Sequence, residues 1–363
     1  MKIKDIRLFR YNLPLARPLV AGRHSISNRQ GLILKCVRND GNKGTGEIAP
    51  LPGLSNESLE EALEQVRTLI PSIPGHDLPE TRLGIGGLLD DLMTDTDTCP
   101  SVRFGLETVL LNLAAAATKM SLTQLLGGKP TPSLPINALL TGSPKQLVKE
   151  AESAYRNGYR VLKIKIGRAS MDENLASVTQ VRDVCGSGTT LRLDANRAFA
   201  LEQAVSFADR LGGRNIEYIE EPCPSLDENL IFAEKSDIPV ALDESIVEAP
   251  EKVAENINRV GALILKPTLL GGVERTLALA RQAREARVTT VTSSSFESSI
   301  GIMSLAQLAI AINPDTPAGL DTLRWFDRDV TTTPLNVTGG RLTLPDQNDL
   351  PLDYSALEEV PLD

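Results

Sequence analysis

The sequence predicts an α/β fold, a (β/α) barrel preceded by a smaller α+β unit, and three observations lead there. First, from Leu134 onward short apolar runs alternate with helical patterns. The strand-like runs fall near 135–140, 161–166, 190–194, 216–219, 239–243, 262–266, 289–293 and 318–321. Lys163 and Asp321 are 158 residues and six such steps apart, about 26 residues per step, which is the length of one βα unit, and eight strands suit a barrel. Second, no glycine-rich phosphate turn follows the first of these strands, as an open doubly wound sheet would normally require. Third, the residues before this region read as three strands and then helices, the order of a small α+β unit.

In that first unit, residues 1 to about 15 alternate apolar and polar and predict a strand, followed by a polar loop through Ala21-Gly-Arg-His-Ser-Ile-Ser. Gly31-Leu-Ile-Leu-Lys-Cys-Val reads as a second strand. Asn39-Asp-Gly-Asn marks a hairpin turn into a third around Gly46-Glu-Ile. Ser58 and Glu61 have capping-box spacing and predict a helix running to about Ile70. A second helix is expected after Pro100, with Phe104, Leu106, Val109, Leu110 and Leu113 on its apolar side. Near the C-terminus, Leu335-Asn-Val and Arg341-Leu-Thr-Leu predict strands that return to pack on the first unit. The expected division is therefore 1–125 for the α+β unit, 126–330 for the barrel and 331–363 for the returning segment.

Composition narrows the function. A net charge of -9 repels nucleic acid and anionic membranes from the average surface, while leaving room for a small anionic substrate in a local cationic pocket. No apolar run approaches the ~20 residues of a membrane helix. The four cysteines are far apart with no Cys-x-x-Cys pair, which fits reduced thiols in a cytoplasmic protein. With two histidines in the chain, His24 and His76, chemistry built on several imidazoles is excluded.

The chemistry-bearing pattern is a series of charges at strand ends. In Val161-Leu-Lys-Ile-Lys-Ile-Gly167, side chains alternate across the strand, so Lys163 and Lys165 share one face. Asp194, Glu220 and Asp243 end the next three apolar runs, and Lys266 ends the one after. Any one of these alone reads most simply as a helix cap, a salt-bridge partner or a solvated edge residue. In a parallel barrel, however, strands are covered on both faces, and such residues on five consecutive strands are hard to read as caps. The C-terminal strand ends form the active face of a barrel, so the acids make an arc flanked by lysines. Three clustered carboxylates with no histidine or thiolate favour Mg²⁺, with Mn²⁺ the alternative. Glu221 and Glu244, beside the proposed ligands, read either as supporting partners or as surface acids, and His24 as a loop residue.

With these residues in place, the chain resembles the enolase superfamily, specifically the muconate-lactonizing-enzyme subgroup. The likeness covers nearly the whole length, and implies a modified TIM (β/α)7β barrel with an N-terminal α+β capping domain. Within the subgroup it is most similar to the o-succinylbenzoate synthase family. The stretches that carry this are Arg192-Leu-Asp-Ala-Asn-Arg197, Glu220-Glu-Pro-Cys223, Leu242-Asp-Glu-Ser245, Leu265-Lys-Pro-Thr268, Ser293-Ser-Ser-Phe-Glu-Ser-Ser-Ile-Gly301 and Gly319-Leu-Asp-Thr322. The resemblance implies Asp194, Glu220 and Asp243 as Mg²⁺ ligands with Asn196 supporting them from behind, and Lys165 and Lys266 on opposite faces of a substrate carboxylate. It implies Lys165 as the base and proton donor and Lys266 as a fixed cation stabilising the enediolate. Lys163, Ser293 and Ser294 are expected to hold substrate carboxylates, and Arg23 to lie on a capping loop that closes the barrel mouth. The reaction implied is loss of water from 2-succinyl-6-hydroxy-2,4-cyclohexadiene-1-carboxylate to give 2-succinylbenzoate, in menaquinone or phylloquinone biosynthesis.

Two other readings stand beside it. An N-succinylamino-acid racemase would use both lysines as acid and base on the same machinery. A non-catalytic Mg²⁺-binding barrel would be expected to lack at least one of the five strand-end residues. The eighth strand end has no Asp-x-Asp of the kind that grips a dipeptide amine, and nothing points to a catabolic muconate substrate. The partner expected is a small carboxylate, with no nucleic acid and no membrane, for a monomer or a homo-oligomer.

Overall fold

A computed structural model of the chain describes residues 2–22, 24–75, 77–93, 98–212, 214–345 and 350–362. Arg23 and His76 lie outside them. Alternating apolar residues build the first sheet: β1 (Ile3–Ala21) and β2 (His24–Arg38) form a long antiparallel hairpin, and β3 (Lys43–Ile48) pairs with β2. Gly41, at φ 86°, makes the β2–β3 turn possible. The strand expected to stop near residue 15 continues through a register shift between Pro14 and Leu19. Its extension is held because Leu15, Leu19 and Ala21 pack with Leu51, Phe296 and Trp325, so the expected polar loop is the tip of a hairpin with an apolar underside.

α1 (Leu59–Leu69) opens with the anticipated box: Ser58 Oγ accepts from Glu61 N at 3.2 Å, and Glu61 Oε2 accepts from Ser58 N at 2.7 Å. α2 (Arg82–Leu92) follows, then α3 (Pro100–Thr118) and the short α4 (Leu122–Leu125). α3 differs from the one-sided helix its sequence predicts, being buried all round from Ser101 to Ala115. It lies between the two halves of the molecule. Asn112 Nδ2 donates to Thr45 O of β3 at 2.9 Å and to Ser304 Oγ on the barrel side at 3.3 Å.

After β4 (Ser133–Pro135), seven parallel strands form one sheet in sequence order: β5 (Ala138–Leu140), β6 (Val161–Lys165), β7 (Thr190–Asp194), β8 (Ile216–Glu220), β9 (Val240–Leu242), β10 (Ala262–Leu265) and β11 (Thr289–Thr292). Between them run α5 (Pro144–Arg156), α6 (Met171–Cys185), α7 (Leu201–Leu211), α8 (Leu226–Lys235), α9 (Glu244–Glu248), α10 (Pro250–Glu255), α11 (Pro267–Leu270) and α12 (Val273–Glu285), and α13 (Ser299–Ile312) follows β11. The sheet curls until its two edges meet the same residues. Ala318 bridges Ile136, Gly319 bridges Ser293, and Ser294 N donates to Gly319 O at 3.1 Å. The expected strand at 318–321 is thus reduced to two bridging residues. A Cβ on Gly319 would come within 2.6 Å of Ser293 Oγ, so only glycine lets the segment close this tightly. Beyond it Asp321 leaves the sheet to accept from Tyr159 Oη at 2.8 Å and Leu139 N at 3.2 Å.

Strand alternation sorts the residues. Leu162, Ile164, Leu191, Leu193, Ile219, Leu242, Leu263 and Leu265 face the helices in one core, whereas the interior of the curl keeps a small apolar cluster of Tyr218, Ala241, Ala262, Ile264 and Val291. The C-terminal strands divide between two sheets. β12 (Asn336–Thr338) pairs with β13 (Arg341–Thr343), and β13 with β4, while β14 (Leu357–Val360) is the strand that joins β1. Leu342, the buried side chain of the 336–343 hairpin, belongs to the same core as Leu8 and Phe9 of β1.

The two halves are tied by buried charge. Glu47 on β3 accepts from Tyr11 Oη at 2.5 Å, Ser298 N at 2.9 Å, Ser298 Oγ at 2.6 Å and Gly301 N at 2.7 Å, capping α13 from the other sheet. Arg29 donates to the carbonyls of Phe296 at 3.0 Å, Pro50 at 2.8 Å and Ser295 at 3.2 Å, and also to Ala49 O. Removing one partner of such a network leaves the others buried and unpaired, which costs about 3 kcal/mol or more. Glu47→Ala is expected to lower the unfolding free energy by about that amount. Glu60→Ala, which removes an exposed ion pair to Arg10, should cost less than about 1 kcal/mol. Urea unfolding of both variants beside the parent checks the contrast.

Candidate active site

The register of the parallel strands lays the charged residues out in two tiers. Lys163, Arg192 and Tyr218 are aligned, and one pleat further on Lys165, Asp194 and Glu220 are aligned. Arg192 turns toward the N-terminal end of the strands, donating to Asn137 Oδ1 at 2.8 Å and Pro317 O at 2.6 Å and pairing with Glu217 at 2.7 Å. Lys163 turns the other way. Its Nζ lies 2.7 Å from Glu220 Oε1 and 2.8 Å from Asp194 Oδ2. Lys165 Nζ donates to Asp194 Oδ2 at 2.6 Å and to Asn196 Oδ1 at 2.7 Å. Asp243, immediately after β9, pairs with Lys266, immediately after β10.

Electrostatics follow from this packing. Burial alone would raise Asp194, but the ammonium groups of Lys163 and Lys165 hold its carboxyl well below the usual range. Glu220, equally buried, is pushed well above the ordinary carboxylate value by desolvation and by the charge of Asp194. Lys163 and Lys266 are both desolvated, yet their acid neighbours outweigh this and raise them above the usual lysine value. Glu244 is pushed up to about 7 by burial and by Asp243. Three lysines face three strand-end carboxylates, and for Glu220 and Glu244 burial and the neighbouring acids outweigh that compensation.

The backbone around it is held in uncommon conformations. Asn196, Arg197 and Glu221 have φ of 43°, 63° and 40°, the left-handed region that costs non-glycine residues energy and is often found at functional sites. Asn196 N donates to Asp194 Oδ1 at 3.2 Å, so Asn196 touches both the acid and Lys165. Glu221 is fully buried and accepts from Asn229 Nδ2 at 2.7 Å, Asp243 N at 3.0 Å, Ser245 N at 2.9 Å and Ser245 Oγ at 3.0 Å. It is a supporting partner of the Asp243 turn, not a surface acid.

The residues singled out from sequence are therefore brought together unequally. Lys163, Lys165, Asp194, Asn196 and Glu220 form one contact network, with Asp243 and Lys266 as a neighbouring pair. Ser293 and Ser294 end β11, but their hydroxyls meet the closing segment: Ser293 Oγ donates to Gly319 O at 3.3 Å, and Ser294 Oγ lies 2.9 Å from Thr322 Oγ1. Arg23 lies outside the described residues. Arg192 is the supporting residue that sequence reasoning left without a role, and Glu221 takes the supporting side of the two readings open to it. Arg192 had the same signal as the lysines, a charge inside an apolar strand.

Among the described residues, no group of three or more His, Cys, Asp or Glu side chains is drawn together as a metal cage, because lysine ammonium groups stand between the acids. The donor chemistry nevertheless fits a hard cation: three strand-end carboxylates, with buried Glu220 Oε2 and Glu244 Oε2 making no hydrogen bond. Glu220 Oε2 is also 2.7 Å from Lys163 Nζ, a charge contact off the hydrogen-bonding direction.

Glu221→Ala is expected to destabilise the fold by about 3 kcal/mol, since five donors, Arg197 Nε among them, lose a buried acceptor. Glu221→Gln should cost less. Urea unfolding of the two variants distinguishes this from the near-zero effect of an exposed acid.

Comparison with known proteins agrees with this fold. Residues 3–82 match the family model "MenC, N-terminal domain", and residues 146–349 match "Enolase C-terminal domain-like". The o-succinylbenzoate synthase of Haemophilus influenzae is 33% identical over 339 residues, covering 91% of this chain and 93% of that protein. Among solved structures, muconate lactonizing enzyme from Pseudomonas fluorescens, complexed with muconolactone, aligns with a TM-score of 0.86 at 24% identity over 98% of both chains. A dipeptide epimerase from Cytophaga hutchinsonii, complexed with Mg and a dipeptide, aligns with a TM-score of 0.87 at 22% identity over 99% of both. The two structures share the fold, and the curated relative adds the closer kinship: the chain belongs to the o-succinylbenzoate synthase family of the enolase superfamily.

Proposed function

We propose that this chain is a metal-dependent hydro-lyase that removes water from 2-succinyl-6-hydroxy-2,4-cyclohexadiene-1-carboxylate to give 2-succinylbenzoate, in menaquinone or phylloquinone biosynthesis. The observation that carries the chemistry is the lysine on each side of the acid arc: Lys165 on β6 and Lys266 after β10, with Asp194, Glu220 and Asp243 on the strands between. Closure of the seven-stranded sheet by Ala318 and Gly319 supports reading the architecture as a (β/α)7β barrel, with 1–125 as its cap, 126–330 as the barrel and 331–363 as the returning segment. The widely spaced free cysteines support a cytoplasmic setting.

Lys165 removes the proton from the carbon α to the ring carboxylate. Asp194 and Asn196 fix its Nζ, and its side chain is the most exposed of the three lysines at 26%, so it can reach a ligand. The same ammonium then gives its proton to the hydroxyl leaving from the same face. One proton and one hydroxide depart as water, and the ring becomes aromatic. Lys266 stays protonated, held by Asp243, and its charge stabilises the negative charge that develops on the carboxylate. Lys163 holds the acids in place and lies where it can meet a substrate oxygen. A divalent cation, Mg²⁺ or Mn²⁺, held by Asp194, Glu220 and Asp243 would supply further positive charge for that carboxylate.

The racemase reading shares every one of these groups but needs both lysines as bases. Lys266→Arg keeps a charge that cannot be deprotonated. It is therefore expected to retain part of the elimination, while Lys165→Arg should lose at least ~10³-fold. Absorbance of the aromatic product, followed for both variants beside the parent, checks this. Robust elimination by Lys165→Arg would place the base elsewhere. Rapid exchange of the α-proton of both enantiomers of an N-succinylamino acid into D₂O, with poor dehydration, would make racemisation the main activity.

Glu220→Gln tests the acid arc. It should leave far-ultraviolet circular dichroism unchanged and weaken Mg²⁺ binding by roughly 100-fold in calorimetry. Undiminished Mg²⁺ affinity would remove Glu220 from the cation site.

A further inference from the structure

At the end of the strands opposite the lysines, a cleft of about 430 Å³ opens between α12, the first residues of β11 and the end of α13. Arg82, Arg281, Arg284 and Arg287 line it. Arg82 is neutralised by Glu274. The other three are exposed and, among the described residues, have no carboxylate within ion-pair distance and no side-chain hydrogen bond. Glu285, four residues on from Arg281, does not reach it. In a chain of net charge -9, three uncompensated guanidinium groups on one cleft need a reason.

Helix-end electrostatics supply only part of one. The C-termini of α12 and α13 both end here, and each contributes about -0.5 elementary charge. Two helix ends offset roughly one arginine and leave about two in excess. Arg287 also stands at φ 61°, where glycine would turn the chain more easily, yet the position carries a guanidinium. Behind the charges, Ala280 and Val288 are buried and give a non-polar floor, and Thr289 and Thr290 also line the cleft. Guanidinium forks match phosphate oxygens bidentately, and several of them converging on one cleft favour an anion with more than one negative group.

We propose that this cleft binds an anion bearing two or more phosphate groups, either free or carried on an organic body, at a site separate from the lysine–acid centre and taking no part in the elimination. The test is calorimetric titration of the full chain, without added divalent cation, using inorganic pyrophosphate in one arm and adenosine 5′-diphosphate in the other. Saturable binding of at least one probe is expected. In the exposed triple variant Arg281→Ala/Arg284→Ala/Arg287→Ala it should weaken by at least ~10-fold, while phosphate-free turnover and the melting temperature stay at the parent's values. Tighter binding of the nucleotide would identify an organic carrier, and preference for pyrophosphate a free polyphosphate. No saturable binding of either probe up to about 1 mM, or binding undiminished in the triple variant, would overturn the proposal.

Discussion

Charge compensation inside the curled sheet governs the rest of this molecule. Burying Asp194 and Glu220 side by side is unfavourable unless cations reach them, and Lys163 reaches both. A buried carboxylate costs several kcal/mol unless it is paired and hydrogen-bonded. That requirement explains why the interior keeps so small an apolar cluster and why lysines stand in strands otherwise made of leucine and isoleucine. It also leaves the site incomplete, because Glu220 remains raised and two buried carboxylate oxygens make no hydrogen bond. Those two oxygens leave room for a further cation, which would in turn offset the charge of an anionic substrate.

The same logic, with different residues, fixes the cap to the strand ends. Arg29 has carbonyls for partners where an acid would be usual, and those of Ser295 and Phe296 belong to the segment directly after Ser293 and Ser294. Glu297 accepts from Thr268 Oγ1 at 2.5 Å, two residues beyond Lys266. The first sheet therefore grips the backbone next to the site as well as the outside of the barrel. The β1–β2 hairpin adds an apolar contact through Leu15 and Leu19 against Phe296 and Trp325. Positioning and closure thus belong to a single contact surface.

How much of this could be read in advance depends on whether the signal was local. The capping box at Ser58, the turn at Gly41 and the strands from 138 to 292 are set by neighbours in sequence, and the structure follows them closely. The inward lysines and acids were legible because a charge inside an apolar strand breaks its alternation. Arg29 and Glu47 were not, because their partners lie as many as 267 residues away, as with Arg29 and Phe296, and Glu221 stayed between two readings because its partners lie on a turn whose backbone direction no propensity specifies. The long β1 and the all-round burial of α3 were missed for the same reason: each is stabilised by surface that exists only after the barrel has formed. The 318–321 run has strand character, yet Asp321 is drawn out of the sheet by Tyr159 and Leu139.

The two outer lysines differ in a way that bears on mechanism. Lys266 is nearly enclosed, with 11% of its side chain exposed, and is paired with one carboxylate that raises its affinity for the proton. Lys165 shares its ammonium between a carboxylate and the neutral amide oxygen of Asn196, and more of it faces the mouth. A group that must give up and take back a proton needs access and a partner from which it can be separated; a group that only stabilises charge needs neither. Asn196 matters here because its neutral amide positions the amine without placing a second carboxylate beside it. The asymmetry of the two environments, rather than the presence of two lysines, is what supports the proposed division into one exchanging residue and one fixed cation.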